Sequence, residues 1–112
     1  MEHFTQAEIE SGGQKLIRTR CIELLSRSHI LVAPLDGAQV DDGTAFEIGW
    51  FYARKPENPI AGIRSDVRYC GEVPGTKLNA MLEDSVKEVS GHLFADTDDL
   101  VRTLSEIVRL VP

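Results

Sequence analysis

Hydrophobic positions along the chain fall into two kinds of run. Between residues 14 and 26 they recur at spacings of three and four, which predicts a helix with one buried face. The apolar stripe of this helix is Leu16, Ile17, Cys21, Leu24 and Leu25. Residues 29–35 are nearly all apolar and too few for a helix, so they predict a strand buried on both faces. Residues 1–13 are polar and predict no regular element.

The same two patterns continue to the end of the chain. They predict a helix capped by Asp41 or Asp42 and ending near Arg54, a strand at 60–63, a loop at 64–76, a helix at 77–89, a strand at 92–95 and a last helix capped by Asp96. The last helix has a predicted inner face of Leu100, Leu104, Ile107, Val108 and Val111. Helices that alternate with strands predict an α/β domain with a parallel sheet and right-handed crossovers.

Composition narrows the class of protein. A chain of 112 residues predicts one domain, residues 1–112, with a single core. Its net charge of −6, from 12 basic and 18 acidic residues, argues against a nucleic-acid polymer as partner. The sequence shows neither an apolar run of ~18 residues that predicts a membrane span nor a secretory signal pattern. Cys21 and Cys70 stand in unrelated contexts and are expected to be reduced thiols, which makes the cytoplasm the expected location.

The most informative segment joins the first strand to the helix after it. It reads LDGAQVDDGTAFEIG over residues 35–49, with Glu47 six residues after Asp41. Open α/β sheets bind ligands at the carboxyl ends of their strands, where these carboxylates lie. A carboxylate near a helix N-terminus stays ionised because the helix dipole is positive there. From the pattern alone, Glu47 is either a reactive carboxylate or an exposed acid that stabilises its helix, and Asp41 and Asp42 are either functional residues or caps.

Three segments in order resemble the nucleoside 2-deoxyribosyltransferase family: LVAPLDGAQVDDGTAFEIG at 31–49, IAGIRSDVR at 60–68 and LNAM at 78–81. Family members typically show an apolar strand, Asp-Gly, Asp-x-Gly-Thr-Ala-Phe-Glu-hydrophobic-Gly, a helix ended by Lys-Pro, a strand ending in Arg, and a later Asn-x-Met. The resemblance runs from about Leu16 to Met81. It implies a flavodoxin-like (Rossmann-like) parallel sheet and an enzyme that transfers a 2-deoxyribosyl group between nucleobases.

The resemblance also implies a mechanism. Glu47 is the implied nucleophile, which attacks the anomeric carbon, expels the base and holds the sugar covalently until a second base attacks from the same face. Asp41 is implied to contact the sugar or base and to assist proton movement, which requires that Asp42 caps the helix. The implied ligands are 2'-deoxynucleosides and free nucleobases, and neither a metal nor a cofactor is expected.

Further residues are implied to bind the substrate: Asp36, Gly37, Gly43 and Asn79. In the family the asparagine reaches the active site of a neighbouring subunit and orients the nucleophile. The alternative for Asn79 is a cap at the start of the third helix.

Two departures from the family pattern affect these expectations. Cys21 and His29 stand where the family usually has two acids, and the first of these acids normally handles the base. The alternative for Cys21 is a small core residue. The family also begins with a strand, a helix and a second strand for which the sequence shows no counterpart. We therefore expect an unpaired edge at residues 30–35, and obligatory association as a fragment, as a subunit whose partner chain supplies these strands, or as a homo-oligomer.

Two other functions fit the same segments. One is a nucleoside or nucleotide N-glycosidase, in which water is the acceptor and Arg64 or Arg68 reaches a 5'-phosphate, although surface ion pairing is the commoner role of such arginines. The other is a non-catalytic partner that keeps the Glu47 loop but is inactive alone.

Overall fold

The computed structural model describes residues 5–90 and 93–109. Within these residues the chain forms six elements: α1 (Gln6–Arg27), β1 (Leu31–Pro34), α2 (Asp42–Arg54), β2 (Ile60–Ile63), α3 (Ala80–Ser90) and α4 (Thr97–Arg109). The order of helices and strands confirms an α/β chain. No helix in the described ranges combines the length and apolar character needed to cross a membrane, and neither Cys21 nor Cys70 forms a disulfide.

The sheet is small and parallel. β1 pairs with β2 in a register that sets Leu31 opposite Ile60 and Pro34 opposite Ile63. On the other edge of β2, the Phe94 N–H donates to Gly62 O at 2.8 Å, and the Arg64 N–H donates to Phe94 O at 2.8 Å. The third strand predicted at 92–95 is therefore a single bridge at Phe94, and its first position, His92, lies outside the described residues. β2 is thus the inner strand of the described sheet, and β1 is at its edge.

The two faces of β2 are buried in different clusters, because successive side chains of a strand point to opposite faces. The larger cluster comprises Leu25, Ala33, Leu35, Ile48, Phe51, Ile60, Leu78 and Val86. The smaller one comprises Ala61, Phe94 and Leu100. Residues from α1, α2 and α3 thus cover one face of both strands, while α4 packs on the other face of β2.

β1 departs from the prediction that it would be buried on both faces. Its Ala33 is fully buried, but Val32, which points to the other face, is 46% exposed. The reason is that α4 covers β2, and no described element covers Val32 in the same way. The neighbouring Ile30 and Leu31 are half-buried.

The helix boundaries differ from the sequence predictions at two points. α1 begins at Gln6 rather than at residue 14, because the helix continues across a kink at Gly13, whose φ of 58° and ψ of −150° are not helical. α3 begins at Ala80 rather than at residue 77, because the Asn79 side chain accepts the Met81 N–H at 3.0 Å and starts the helix there.

The buried positions of the helices agree with the prediction in part. On α1, Leu25 is 4% exposed, whereas Leu24 is 39% exposed and does not belong to the buried stripe. On α4, the Asp99 N–H donates to Asp96 Oδ1 at 2.7 Å, which confirms the predicted cap. Leu100 is buried as predicted. The other positions of that inner face, Leu104, Ile107, Val108 and Val111, lie outside the described side chains.

Candidate active site

The loops that follow the two strands are joined by a carboxylate. Asp36 Oδ1 accepts the backbone N–H groups of Ser65 at 2.8 Å and Asp66 at 2.9 Å, and the Ser65 hydroxyl lies 3.2 Å from Asp36 Oδ2. These bonds stabilise the ionised Asp36 carboxylate and hold its pKa below the usual value. The largest contribution comes from the Asp66 N–H. We call residues 35–37 and 64–68 the loop junction. The structure places Asp36 within it as a structural acceptor.

A buried arginine completes the loop junction. Arg64 is 2% exposed, and its Nη1 donates to Leu35 O at 2.6 Å and to Gly37 O at 2.9 Å. Its Nε is buried with no hydrogen-bond partner in the described part of the chain. Gly37 allows the sharp turn at this point, because its φ of +100° is unfavourable for any residue with a side chain. The suggestion that Arg64 reaches a phosphate is therefore wrong: its donors point into the protein.

Arg68 is the second arginine of the loop junction, and it pairs with Asp66. Its Nη2 lies 2.6 Å from Asp66 Oδ2, and its Nε lies 3.0 Å from Asp66 Oδ1. This hydrogen-bonded pair holds the pKa of Asp66 well below its usual range. Arg68 therefore has the surface ion-pair role that was the alternative to phosphate binding.

The start of α2 is fixed by Asp41. Its carboxylate Oδ2 accepts the Thr44 N–H at 3.1 Å and lies 3.3 Å from the Thr44 hydroxyl, and its backbone carbonyl accepts the Ala45 N–H at 2.9 Å. Among the described residues, the Asp42 carboxylate accepts only the neighbouring Gly43 N–H, at 2.7 Å. The expectation that Asp42 caps the helix and leaves Asp41 for the pocket is therefore wrong, because the Asp41 side chain is the one that reaches back over the first turn.

Glu47 lines a small pocket between α1 and α2. The pocket has a volume of about 160 Å³ and is lined by residues from one face of each helix: Arg18, Cys21, Ile22 and Leu25 from α1, and Gly43, Phe46 and Glu47 from α2. We call it the Glu47 pocket. Glu47 is half-buried, whereas Phe46 is 63% exposed at its rim. Most of the other lining side chains are apolar.

The carboxylate of Glu47 is in a different electrostatic state from those of the loop junction. The helix dipole was expected to favour the ionised form, but the pKa of Glu47 is raised instead. The first cause is burial, which disfavours the charged form, and the second is the negative charge of Asp41. Perturbed carboxylates in clefts are candidates for catalytic groups. Asp41 thus acts on the pocket through its charge while its oxygen atoms cap α2.

Comparison with known protein families shows which family the chain belongs to. The model of the family described as nucleoside 2-deoxyribosyltransferase matches residues 2–81. The chain belongs to this family. The match contains the Glu47 pocket and the loop junction, and it starts closer to the N-terminus than the resemblance seen at residues 16–81. No curated protein matches the chain.

From the sequence of this deoxyribosyltransferase family member, the α1 residues that line the Glu47 pocket were not predicted. Cys21 stands where the family usually has an aspartate, and the structure places it in the Glu47 pocket, half-buried, rather than in the core. Arg18 was not singled out. Its spacing of three and four residues from Cys21 and Ile22 was a usable signal, because side chains at these spacings share one helix face.

Asn79 caps α3 and does not line the Glu47 pocket. Besides accepting the Met81 N–H, it donates through Nδ2 to Glu72 Oε2 at 3.2 Å, and Glu72 Oε1 accepts the Ala80 N–H at 3.0 Å. The capping alternative for Asn79 is therefore confirmed within one chain. A role for Asn79 in the site of a neighbouring subunit remains a prediction.

A larger depression lies away from the candidate nucleophile. It has a volume of about 410 Å³ and is lined by Tyr52, Pro56, Glu57, Pro59, Glu88 and Val89. Pro59 precedes β2, so this depression is at the amino end of the strand, opposite to the edge at which parallel sheets bind ligands. The smaller Glu47 pocket is the better candidate, because it contains the perturbed carboxylate.

Proposed function

We propose that this chain transfers a 2-deoxyribosyl group between nucleobases through a covalent intermediate on Glu47, as part of an oligomer. The observation that carries the proposal is the half-buried carboxylate of Glu47, which lines an apolar pocket near the start of a helix. Membership of the nucleoside 2-deoxyribosyltransferase family supports the substrate class. Such a reaction serves nucleotide salvage, and the two unbridged thiols fit a protein of the reducing cytoplasm.

The chemistry needs one carboxylate and two bases. An oxygen of ionised Glu47 forms a bond to the anomeric carbon while the bond from that carbon to the base nitrogen breaks, and the base leaves with the electron pair and takes up a proton. A nitrogen of the second base then attacks the same carbon and loses its proton, and the bond to Glu47 breaks. Two inversions give net retention. The missing 2'-hydroxyl makes the oxocarbenium-like state easier to reach, which suits a site with one nucleophile.

Asp41 is proposed as the second catalytic residue even though it caps α2, because the cap uses its Oδ2 and no described residue donates to its Oδ1. Its negative charge raises the pKa of Glu47 and therefore makes the carboxylate more basic. The second base loses a proton when it attacks, and the ionised Asp41 carboxylate, whose charge raises the pKa of Glu47, can accept that proton. The proton is then available to the leaving base of the next turnover.

The substrate-binding roles proposed for the remaining residues follow from their places in the fold. Gly43 lines the Glu47 pocket directly, and the absence of a side chain allows a ligand to approach the backbone there. Asp36 and Gly37 hold the loop ahead of α2 through the loop junction. We propose that Asn79 contributes to the site of a neighbouring subunit, because it is on the exposed surface and outside the pocket of its own chain.

We propose assembly because the pocket is small and because the described part of the sheet has an edge without a partner strand. Pockets that enclose a drug-sized ligand have volumes of roughly 300–1,000 Å³, and the Glu47 pocket measures about 160 Å³. Among the described residues, β1 pairs with β2 on one side and has no partner strand on its other edge. On the less covered face of the same strand, Val32 is 46% exposed. A strand from another copy or from a different chain would cover this edge and extend the sheet to a flavodoxin-like order.

The decisive experiment is mass spectrometry of the chain, in its native assembly, after incubation with a 2'-deoxynucleoside. A mass increase of one deoxyribosyl group, lost in Glu47→Gln, is the expected result. The matched control is Glu57→Gln, an exposed carboxylate away from the pocket. An adduct that persists in Glu47→Gln would assign the nucleophile to another residue. No adduct and no base exchange in any assembly would refute the proposal.

Hydrolysis is the second candidate, and the exposure of the pocket favours it. Phe46 is 63% exposed at the rim, so water reaches the pocket of one chain and can replace the second base as acceptor. The two functions differ in the fate of the sugar: hydrolysis releases free deoxyribose whether or not a second base is present. Transfer instead requires that base and returns a new nucleoside.

A further inference from the structure

The Glu47 pocket holds two charged side chains of opposite sign. Arg18 lines it from α1 and Glu47 from α2. Arg18 is exposed, and no carboxylate among the described residues forms an ion pair with it. No hydrogen bond or ion pair joins the Arg18 guanidinium to the Glu47 carboxylate in the described part of the chain. The guanidinium is therefore available to a ligand group.

The space between these charges suits a base better than a sugar. Its walls include Ile22, Leu25 and the ring of Phe46. Apolar walls with an aromatic side chain favour the ring system of a base, while a hydroxylated sugar needs polar partners. The volume of about 160 Å³ fits one moiety rather than a whole nucleoside.

The charge of the pocket decides what Arg18 recognises. A phosphate would bring further negative charge to a pocket that already contains Glu47. The charge of Asp41 also acts there, since it raises the pKa of Glu47. A neutral base avoids this repulsion. A guanidinium donates two parallel hydrogen bonds in a fixed fork, so it prefers a base edge with two adjacent acceptors.

Among the common bases, the 6-oxopurines offer that pair as O6 and N7, whereas adenine presents a donor beside N7 and cytosine presents a donor at N4. We infer that Arg18 determines base specificity by donating a pair of hydrogen bonds to O6 and N7 of a 6-oxopurine, such as hypoxanthine or guanine, held in the Glu47 pocket. The inference rests on the proposed function for the class of ligand, but its test is a binding measurement that needs no reaction.

The test is calorimetric binding of three free bases to the native assembly: hypoxanthine, adenine and 7-deazahypoxanthine, which lacks the N7 acceptor. Hypoxanthine is expected to bind about tenfold or more tightly than the other two, the discrimination typical of a bidentate pair. Arg18→Met should remove the difference. Arg18→Gln should shift the preference towards adenine, because a carboxamide pairs with N6 and N7 of adenine. Arg27→Gln, an exposed arginine on α1 outside the pocket, is the matched control and should change nothing.

Each outcome bears on the inference separately from the proposed transfer. Equal binding of the three bases to the unmodified chain, or a preference that survives Arg18→Met, overturns the inference even if base exchange is observed. A 5'-phosphate preference that disappears in Arg18→Met also overturns it, because Arg18 then reads the phosphate. A preference for hypoxanthine that depends on Arg18, in an assembly that exchanges no bases, supports the inference and refutes the transfer.

Discussion

Two carboxylate-bearing regions of this molecule stand in contrast, the loop junction and the Glu47 pocket. In the loop junction, Asp36 and Asp66 accept several hydrogen bonds, and their pKa values are lowered. In the pocket, Glu47 is partly withdrawn from water and faces the charge of Asp41, so its pKa is raised. The first two carboxylates are already satisfied by the protein and hold the backbone. No described residue donates a hydrogen bond to the Glu47 carboxylate, so its bonding capacity is left for a substrate, which supports the proposal that Glu47 is the nucleophile.

Replacing Glu47 tests this contrast with the largest expected effect. Glu47→Gln keeps the size of the side chain and removes the nucleophile, so base exchange should fall by at least roughly a thousandfold. Stability at neutral pH should be unchanged or slightly higher, because the charged form of a group with a raised pKa is disfavoured in the folded state. Exchange rates and thermal melts of the native assembly, with Glu57→Gln as control, measure both. Near-normal exchange by Glu47→Gln would show that the raised pKa does not mark the nucleophile.

The sequence predicted this residue better than it predicted its surroundings. The position of Glu47 in a helix after a buried strand follows from local pattern, because strand, loop and capped helix are set by neighbouring residues. The α1 wall of the pocket depends on how two helices face each other, and the sequence carried only the helical spacing of Arg18, Cys21 and Ile22 as a signal. Tertiary packing decides which of several possible faces is used.

The loop junction shows the same division. The strand at 60–63 was predicted with its boundaries, because four apolar residues between Pro59 and Arg64 leave little choice. The inward turn of Arg64 was not predicted, because a charged residue at a strand end usually faces solvent. Its burial depends on carbonyls of residues 35 and 37, nearly thirty positions away in the sequence. Contacts of this range are invisible to local pattern.

Breaking the loop junction should give the next largest effect, and it should act on stability. Arg64→Met keeps the apolar stem but leaves the carbonyls of Leu35 and Gly37 without their donor, at a cost of roughly 2–5 kcal/mol in unfolding free energy. Arg68→Met is the matched control: its side chain is 58% exposed and pairs at the surface with Asp66, so its loss should cost less than about 1 kcal/mol. Denaturant unfolding compares the two. Equal small losses would show that Arg64 does not hold the junction.

The pH dependence of the reaction sharpens the contrast further. Glu47 must be ionised to attack, so the exchange rate should rise as the pH passes through the raised pKa of Glu47. At pH values below that pKa, the rate should fall about tenfold for each pH unit. Asp41→Asn removes the charge that helps to raise this pKa, and asparagine is also a good helix cap. The acid limb of the profile should therefore move to lower pH in Asp41→Asn. A limb that stays in place would separate Asp41 from the electrostatics of the pocket.

Stability should depend on pH in opposite directions in the two regions. A raised pKa in the folded state means that Glu47 stabilises the fold at pH values below its ordinary pKa and loses that contribution as pH rises through the raised value. The lowered pKa of Asp36 means that its contribution is present above its ordinary pKa and is lost on acidification. The measurement is the unfolding free energy of Glu47→Gln, Asp36→Asn and the unmodified chain at a series of pH values. As pH rises, the unmodified chain should lose stability relative to Glu47→Gln and gain stability relative to Asp36→Asn. Parallel changes would contradict the contrast.

The smallest effect concerns the neighbouring acids Asp41 and Asp42. Asp41 accepts the Thr44 N–H across the first turn of α2, so Asp41→Ala should cost about 1 kcal/mol in unfolding free energy, the usual loss for a helix cap. Asp42 accepts only its neighbour's N–H and otherwise interacts with the helix dipole, so Asp42→Ala should cost roughly 0.3–1 kcal/mol at most, and less in high salt. Chemical denaturation at low and high salt separates a capping bond from a screened charge effect. If Asp42→Ala lost more unfolding free energy than Asp41→Ala, and the loss did not depend on salt, Asp42 would be the cap of α2. The Asp41 carboxylate would then be free to face the pocket.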